Sequence, residues 1–166
     1  MRVALTGASG FIGRRVGQLL EAGGATVLGS DLGSGPAVQS LDLRDRPAVG
    51  KWLEACQPDA VIHAGAISGA MVAGDNPDLI TAVNVMGTAN VLAAMTELGI
   101  SRLVFLSSIA VYAPRSDRSP VDESSPLASS TSYGMSKIEA ERLVRNAVFS
   151  GLLRGSCVLR LSSVYG

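Results

Sequence analysis

The chain has little of several residue types that by themselves would indicate a function. Its 166 residues include one histidine and two cysteines, and aromatic residues make up 4%. The two cysteines, Cys56 and Cys157, are far apart in the sequence, and neither stands in a Cys-x-x-Cys pair. With His63 as the single histidine, the sequence excludes a zinc cluster. Both cysteines fall in apolar segments, and we expect both to be buried and inert.

Charge is also scarce, and its two signs balance. Charged residues make up 17% of the chain, with 14 basic and 14 acidic side chains. A neutral chain has no electrostatic attraction for a nucleic-acid backbone or an anionic membrane surface. No apolar run approaches the roughly 18 residues of a membrane span, and the run after Met1 is too short for a signal peptide. The sequence therefore predicts a soluble, cytoplasmic protein with a small-molecule ligand.

Apolar residues are plentiful, and they come in short runs. They make up 47% of a chain whose length suits one domain of roughly 150 residues. Runs typical of strands are predicted at 2–6, 25–30, 38–41, 60–63, 103–107 and 157–161, and helices at 11–22, 46–56, 76–98 and 132–149. This alternation is typical of a parallel sheet with helices on both faces. The polar stretch 114–131 is predicted to be a long functional loop.

A glycine-rich segment joins the first predicted strand to the first predicted helix. It runs from Thr6 to Gly13, with glycines at Gly7, Gly10 and Gly13. Glycines there permit a tight turn and let backbone N–H groups approach a pyrophosphate at the positive end of a helix. The spacing departs from the usual Gly-x-Gly-x-x-Gly, and a turn that serves only strand–helix packing is the alternative.

An acidic residue ends the second predicted strand. Asp31 follows Gly13 by 18 residues, and its carboxylate can accept a hydrogen bond from a ribose 2′-hydroxyl but would repel a 2′-phosphate. No arginine follows it closely, which favours NAD over NADP; an aspartate that only makes a turn is the alternative. Asp42, just past the third predicted strand, is a candidate contact for the adenine amino group or an ordinary loop residue.

A tyrosine and a lysine stand one helical turn apart. Tyr133 and Lys137 share a helix face at i and i+4, in a chain with three tyrosines and two lysines. A phenol with a pKa near 10 is a poor base at neutral pH. Lowering that pKa by ~3 needs about 4 kcal/mol, which a cation near 4 Å supplies at an effective dielectric constant of about 20. The phenolate can then take the proton of an alcohol during hydride transfer.

Two serines end a predicted parallel strand at the edge where such sheets bind ligands. Ser107 and Ser108 follow the apolar run that begins at Leu103. A hydroxyl at this place can hydrogen-bond a substrate oxygen. Capping of the strand end is the alternative for Ser108, and the Tyr133–Lys137 pair downstream argues against it.

Together these segments resemble the extended short-chain dehydrogenase/reductase superfamily, in particular its NAD-dependent epimerase/dehydratase family. The resembling segments follow family order along the whole chain: Thr6-Gly7-Ala8-Ser9-Gly10-Phe11-Ile12-Gly13, Asp31, Asp42-Leu43, His63-Ala64-Gly65-Ala66, Asn84-Val85-Met86-Gly87-Thr88, Ser107-Ser108-Ile109-Ala110-Val111-Tyr112, Tyr133-Gly134-Met135-Ser136-Lys137 and Arg160 through Tyr165-Gly166.

This resemblance implies a Rossmann-like doubly wound parallel sheet, the cofactor NAD and a catalytic triad of Ser108, Tyr133 and Lys137. It also implies that further residues contact the cofactor, namely Phe11, Ile12, Leu43, Ala64, Gly65, Ala66, Asn84, Tyr133 and Lys137. His63 is expected to be structural rather than catalytic. In relatives, helices equivalent to 76–98 and 132–149 pair two subunits about a two-fold axis, which implies a homodimer.

The chain departs from the family pattern in two respects. The 4,6-dehydratases of this family carry Thr-Asp-Glu where the chain has Ser108-Ile109-Ala110, so no carboxylate is present to drive elimination of water. Relatives also continue past the final Tyr-Gly into a small substrate-binding lobe. We therefore expect 1–166 to be an NAD-binding Rossmann domain without the C-terminal substrate lobe.

The functional prediction is an NAD-dependent epimerase or dehydrogenase that acts on a nucleotide sugar or a related sugar or hydroxy compound. Hydride transfer is assisted by Tyr133 and Lys137, and the 166 residues alone are expected to be inactive. The alternative is an NAD-binding sensor or interaction module without turnover. Such relatives commonly lack the tyrosine or the lysine, so the intact triad argues against this alternative.

Overall fold

Six strands form one parallel sheet in the computed structural model, which describes residues 1–35, 37–68, 76–113 and 120–165. The strands are β1 (Arg2–Thr6), β2 (Thr26–Asp31), β3 (Val38–Ser40), β4 (Ala60–His63), β5 (Arg102–Ser108) and β6 (Gly155–Leu161). Their order across the sheet is β3-β2-β1-β4-β5-β6, which is the order of the doubly wound dinucleotide-binding fold. The predicted fold class is confirmed.

Within the described residues, four helices longer than two turns connect the strands. They are α1 (Phe11–Ala22), α2 (Arg46–Cys56), α3 (Pro77–Glu97) and α4 (Ser132–Phe149). Helices α2, α3 and α4 pack side by side, whereas α1 packs on β1 and β2. Because crossovers between parallel strands are right-handed, the two sets of helices cover opposite faces of the sheet.

Side-chain caps explain where the helices begin. Asp45 caps α2 by accepting a hydrogen bond from the Ala48 N–H at 3.0 Å, and Asn76 caps α3 in the same way through the Leu79 N–H. Thr131 caps α4 through the Gly134 N–H.

Helix α3 changes its winding in the middle. The segment Ala82–Met86 forms a π-helical turn, a rare distortion that often occurs at functional sites. By length and composition α3 could cross a membrane, with a mean hydropathy of 1.5 over 18 residues. In this fold its Val91 and Met95 are fully buried, so that face of the helix belongs to the core.

The core lies between the sheet and the layer of α2, α3 and α4. Its large buried side chains include Trp52, Leu53, Phe105 and Met95. Strand β6 lies at the edge of the sheet, and Cys157 on it is exposed. The prediction that both cysteines are buried is therefore wrong for Cys157, because an edge strand has a neighbour on one side only. Cys56 is buried as predicted, and burial raises the pKa of its thiol.

Candidate active site

Two adjoining cavities lie at the carboxyl ends of the strands. The first has a volume of about 500 Å³ and is lined by Asp31, Asp42, Leu43, Gly65 and Ala66, among others. The second has a volume of about 350 Å³ and is lined by the triad residues and by Gly10, Phe11, Ile12, Gly13 and Ala64. Gly7 and Ala66 line both cavities, so the two cavities meet at these residues, one of which belongs to the glycine-rich segment.

The glycine-rich segment forms a cradle that side chains would fill. Gly7 has a φ of 70°, and a Cβ atom there would lie 2.7 Å from the backbone of Ala64 and Gly65. The Gly10 N–H donates to the Gly7 carbonyl oxygen at 3.1 Å and closes the turn before α1. A Cβ on Gly13 would overlap the same carbonyl group. This cradle fits a dinucleotide, whose pyrophosphate requires close approach of backbone N–H groups at a helix N-terminus.

Asp31 is positioned by hydrogen bonds at the end of β2. Its Oδ2 accepts from the Ser9 N–H at 3.0 Å and from the Ser9 hydroxyl, and its Oδ1 accepts from the Leu32 N–H at 2.7 Å. A carboxylate has about four acceptor positions, so one remains for a ligand hydroxyl in the first cavity. The contact of Asp31 with a ribose hydroxyl stays a prediction.

An arginine does reach the cavity that Asp31 lines. Arg44 lies 13 residues further along the chain, and its guanidinium binds both oxygens of Asp42 at 2.6 to 3.0 Å. This hydrogen bond lowers the pKa of the Asp42 carboxyl and ties the charge of Arg44 to Asp42. Arg44 was not predicted for this cavity, because only the fold brings a residue so far beyond Asp31 to the same cavity.

His63 lies at the centre of a hydrogen-bonded chain beneath the cavities. Thr6 Oγ1 accepts from the Gly65 N–H at 3.0 Å and lies 2.6 Å from His63 Nδ1, so the threonine hydroxyl donates to that nitrogen. His63 Nε2 then donates to Thr88 Oγ1 at 3.0 Å, whose hydroxyl donates to the Asn84 carbonyl. Burial lowers the pKa of His63 to about 3, which agrees with its predicted structural role.

Asn84 lies within the π-helical turn of α3 and is buried. Its side-chain amide accepts from the Ile67 N–H at 2.8 Å and donates to the Ile67 carbonyl at 3.0 Å. The same amide donates to the Ser136 hydroxyl at 2.9 Å. Asn84 is not among the lining residues of the two cavities, whereas Ile67 lines the first. Its side chain therefore shapes the cavity through Ile67, and the predicted direct contact with the cofactor gains no support.

The three residues predicted as a triad line the second cavity together. Ser108 ends β5, and Tyr133 and Lys137 lie on the first turns of α4. Lys137 is 4% exposed, and its ammonium donates to the Leu106 carbonyl at 2.8 Å and lies 4.8 Å from the centre of the Phe105 ring. Burial lowers the pKa of Lys137 to about 8, although the nearby charge of Glu141 opposes this.

The phenol of Tyr133 is partly buried beside Ser108. Burial raises the pKa of this phenol, and a hydrogen bond with Ser108 opposes the rise. The predicted lowering of this pKa by the charge of Lys137 stays a prediction. The Lys137 ammonium bonds to the Leu106 carbonyl, which leaves two of its three donors for a ligand.

A third cavity adjoins Ser108 on the outer side of the site. Its volume is about 650 Å³, and hydroxyl groups dominate its polar lining. They belong to Ser108, Tyr112, Ser129, Ser130, Thr131, Ser162 and Ser163. No charged side chain occurs among its described lining residues, so the cavity is suited to a neutral polar group.

Sequence reasoning missed a buried ion pair behind the triad. Glu141 on α4 and Arg160 on β6 bind each other at 2.8 Å, with side chains 3% and 14% exposed. Charged residues usually face solvent, and Glu141 alone carries no sign of burial in the sequence. Its spacing of four residues from Lys137 is the signal that could have placed it on the same helix face.

The strand order and the glycine cradle define a dinucleotide-binding domain of the Rossmann type, and Ser108, Tyr133 and Lys137 lie beside the cradle. The NAD dependent epimerase/dehydratase family model matches residues 3–166, and the chain belongs to that family. This membership confirms the predicted family and its cofactor, NAD.

Known relatives are similar over most of this chain. UDP-glucose 4-epimerase 2 of Arabidopsis thaliana is 32% identical over 164 residues, which cover 87% of this chain and 46% of that protein. The 2-alkyl-3-oxoalkanoate reductase of Shewanella oneidensis is 34% identical and covers 94% of this chain, or 41% of its own length. A structure of the Thermus thermophilus UDP-glucose 4-epimerase in complex with NAD has a TM-score of 0.89 at 30% identity, covering 96% of this chain and 54% of that one. The chain spans about half the length of these relatives.

Proposed function

We propose that the chain is the cofactor-binding half of an NAD-dependent epimerase or dehydrogenase whose substrate is a nucleotide sugar or a related sugar or hydroxy compound. The observation that carries this proposal is the shared cavity, in which Ser108, Tyr133 and Lys137 stand beside the glycine cradle. NAD, when bound, accepts or returns a hydride at a carbon of the substrate. The residues of this chain hold the cofactor and move the proton.

Tyr133 is the group that exchanges a proton with the substrate hydroxyl. Its phenol lies in the cavity and hydrogen-bonds Ser108, whose hydroxyl is also available to a substrate oxygen. The charge of Lys137 stabilises the phenolate, and burial of both groups strengthens that interaction. Because burial raises the pKa of Tyr133, the phenolate needs further positive charge in the cavity, which the oxidised cofactor would supply when bound.

The third cavity supports a sugar-like substrate. Its lining offers hydroxyl groups from Ser129, Ser130 and Thr131 next to Ser108, and they can donate to or accept from the hydroxyl groups of a sugar. The relatives named UDP-glucose 4-epimerase support the same class of substrate. A 4,6-dehydratase is disfavoured, because Ile109 and Ala110 cannot transfer the proton that elimination of water requires.

The substitution Tyr133→Phe tests this proposal. We expect the 166 residues to bind NAD but to turn over slowly, because positioning of the substrate can lower a barrier by about 7–11 kcal/mol. In a version extended to the length of its relatives, the variant should bind NAD as before and lose a hundredfold or more in rate, since general acid–base catalysis contributes on that scale.

Calorimetric titration of NAD and turnover of a panel of nucleotide sugars provide the two measurements. Phe149→Leu is the control, because Phe149 is 81% exposed at the end of α4 and lies outside the lining of the site. An unimpaired Tyr133→Phe variant would contradict the proposal. Tight NAD binding without turnover in the extended version would favour the alternative, a sensor or interaction module.

A further inference from the structure

A buried carboxylate lies one helical turn beyond Lys137 and has no part in the chemistry proposed above. Glu141 accepts hydrogen bonds from Arg160 Nε at 3.0 Å, from Arg160 Nη2 at 2.8 Å and from the Ser107 hydroxyl at 2.6 Å. Burial of an ionised carboxylate is costly unless hydrogen bonds and a counter-ion satisfy it, and here both are present. The carboxylate is thus fixed in place rather than free to turn to solvent.

These bonds connect the elements that carry the triad. Ser107 directly precedes Ser108 on β5, and Glu141 shares a face of α4 with Lys137. Arg160 joins β6 to the same carboxylate, and its Nη1 donates to the Tyr112 hydroxyl at 2.7 Å beside the hydroxyl-lined cavity. Glu141 therefore sets the position of α4 relative to the strand that ends at Ser108.

The charges around Lys137 give Glu141 a second effect. On α4 the titratable neighbours are Glu141 and Tyr133, and β4 contributes His63, which burial keeps neutral above a pKa of about 3. Strand β5 faces the ammonium with the Phe105 ring and the Leu106 carbonyl, neither of which titrates. Strand β6 contributes Arg160, whose charge is paired with Glu141.

Burial and the charge of Glu141 act on Lys137 in opposite directions. Burial lowers the pKa of Lys137, and the Glu141 carboxylate raises it, with a result of about 8. An ammonium that lost this anion would release its proton at a lower pH. At neutral pH a smaller fraction of Lys137 would then carry the positive charge that stabilises a phenolate at Tyr133.

We propose that Glu141, held by Arg160 and Ser107, is a positioning residue that keeps the Lys137 ammonium charged and holds α4 in register with Ser108. This inference rests on the catalytic role proposed for Lys137. The effect of the Glu141 carboxylate on the buried Lys137 ammonium can be measured without turnover. The failure of one proposal is therefore distinguishable from the failure of the other.

The test follows the titration of lysine by NMR in the 166-residue chain. The chain has two lysines, so isotope-labelled lysine gives one signal from buried Lys137 and one reference signal from exposed Lys51. In Glu141→Gln we expect the pKa of Lys137 to fall by about one pH unit or more, since a nearby opposite charge is lost. Glu139→Gln is the matched control on the same helix, because Glu139 is exposed and pairs with Arg142 at 2.7 Å. It should leave the Lys137 signal unchanged.

A purely structural role for Glu141 would give the opposite result. If the substitution merely loosened the site, water would enter and the pKa of Lys137 would rise toward its ordinary value near 10.4. A rise, or no change, in folded Glu141→Gln therefore overturns the proposal.

A second variant removes the cation that offsets the carboxylate. In Arg160→Met the charge of Glu141 acts on Lys137 without compensation, so the pKa of Lys137 should rise. A loosened site would also raise this pKa, so the result is compared with the double variant Arg160→Met/Glu141→Gln, which removes both buried charges. If Glu141→Gln alone does not fold, the double variant takes its place: its Lys137 pKa should lie below that of Arg160→Met, and an equal or higher value overturns the proposal.

Discussion

At the scale of single residues, burial and hydrogen bonding decide which groups can titrate. His63 is the single histidine of the chain, and both of its ring nitrogens are bonded to threonines. Its folded-state pKa of about 3 lies below the unfolded value of 6.5. Between these values the unfolded chain binds the proton and the folded chain does not, so stability falls as pH falls through this window.

A pH-dependent loss of stability follows for the native chain. Between pH 7 and pH 5 the free energy of unfolding should fall by about 2 kcal/mol, because each pH unit below 6.5 costs up to about 1.4 kcal/mol. Urea unfolding at the two pH values measures this loss. His63→Gln, which carries no titrating imidazole, should be less stable at pH 7 yet nearly insensitive to the same pH change. Equal pH dependence in both proteins would contradict the assignment to His63.

At the scale of elements, the junction of β1 and α1 depends on backbone packing. Gly13 and Gly17 lie one turn apart on α1 and form a matched pair. A Cβ on Gly13 would overlap the Gly7 carbonyl group, whereas one on Gly17 would lie 3.6 Å from the Leu5 side chain, an ordinary contact. Only the first substitution forces the cradle to move.

Alanine at these two positions should therefore act in opposite directions. Gly13→Ala should cost about 1–3 kcal/mol of stability and weaken NAD binding, since overpacking displaces the cradle. Gly17→Ala should be neutral or stabilise the chain by up to about 1 kcal/mol, because alanine favours a helix more than glycine does. Thermal unfolding with and without NAD measures both effects. A Gly13→Ala variant that retains stability and NAD binding would show that the cradle does not require this glycine.

The elements also show what the sequence could and could not predict. Strand β1 and helices α1, α2 and α4 begin and end at the residues that the pattern of apolar runs predicted. The π-helical turn at Ala82–Met86 was not predicted, and Asn84 within it bonds to Ile67 and Ser136, which are distant in sequence. The pairing of Glu141 with Arg160 was missed, since only the fold brings α4 and β6 together.

At the scale of the whole molecule, the apolar faces of α3 and α4 bear on the predicted homodimer. Part of the apolar surface of α3 belongs to the core, because Val91 and Met95 are fully buried. Met86 on α3 and Met135 on α4 remain 56% and 57% exposed, on helices that pack against each other. The apolar surface available for pairing is therefore narrower than the sequence suggested.

We expect two chains to pair through this surface about a two-fold axis, since isologous dimers are the commonest closed assembly. Sedimentation at tens of micromolar should show a dimer, and Met86→Glu should shift it toward monomer, because a charge would be buried at the interface. Leu19→Glu is the matched control, since Leu19 is 55% exposed on α1 at the opposite face of the sheet. A monomeric native chain, or equal dissociation by both variants, would count against pairing through α3 and α4. The triad stays within each subunit in either case, so the oligomeric state can change without altering how Tyr133 and Lys137 meet the cofactor.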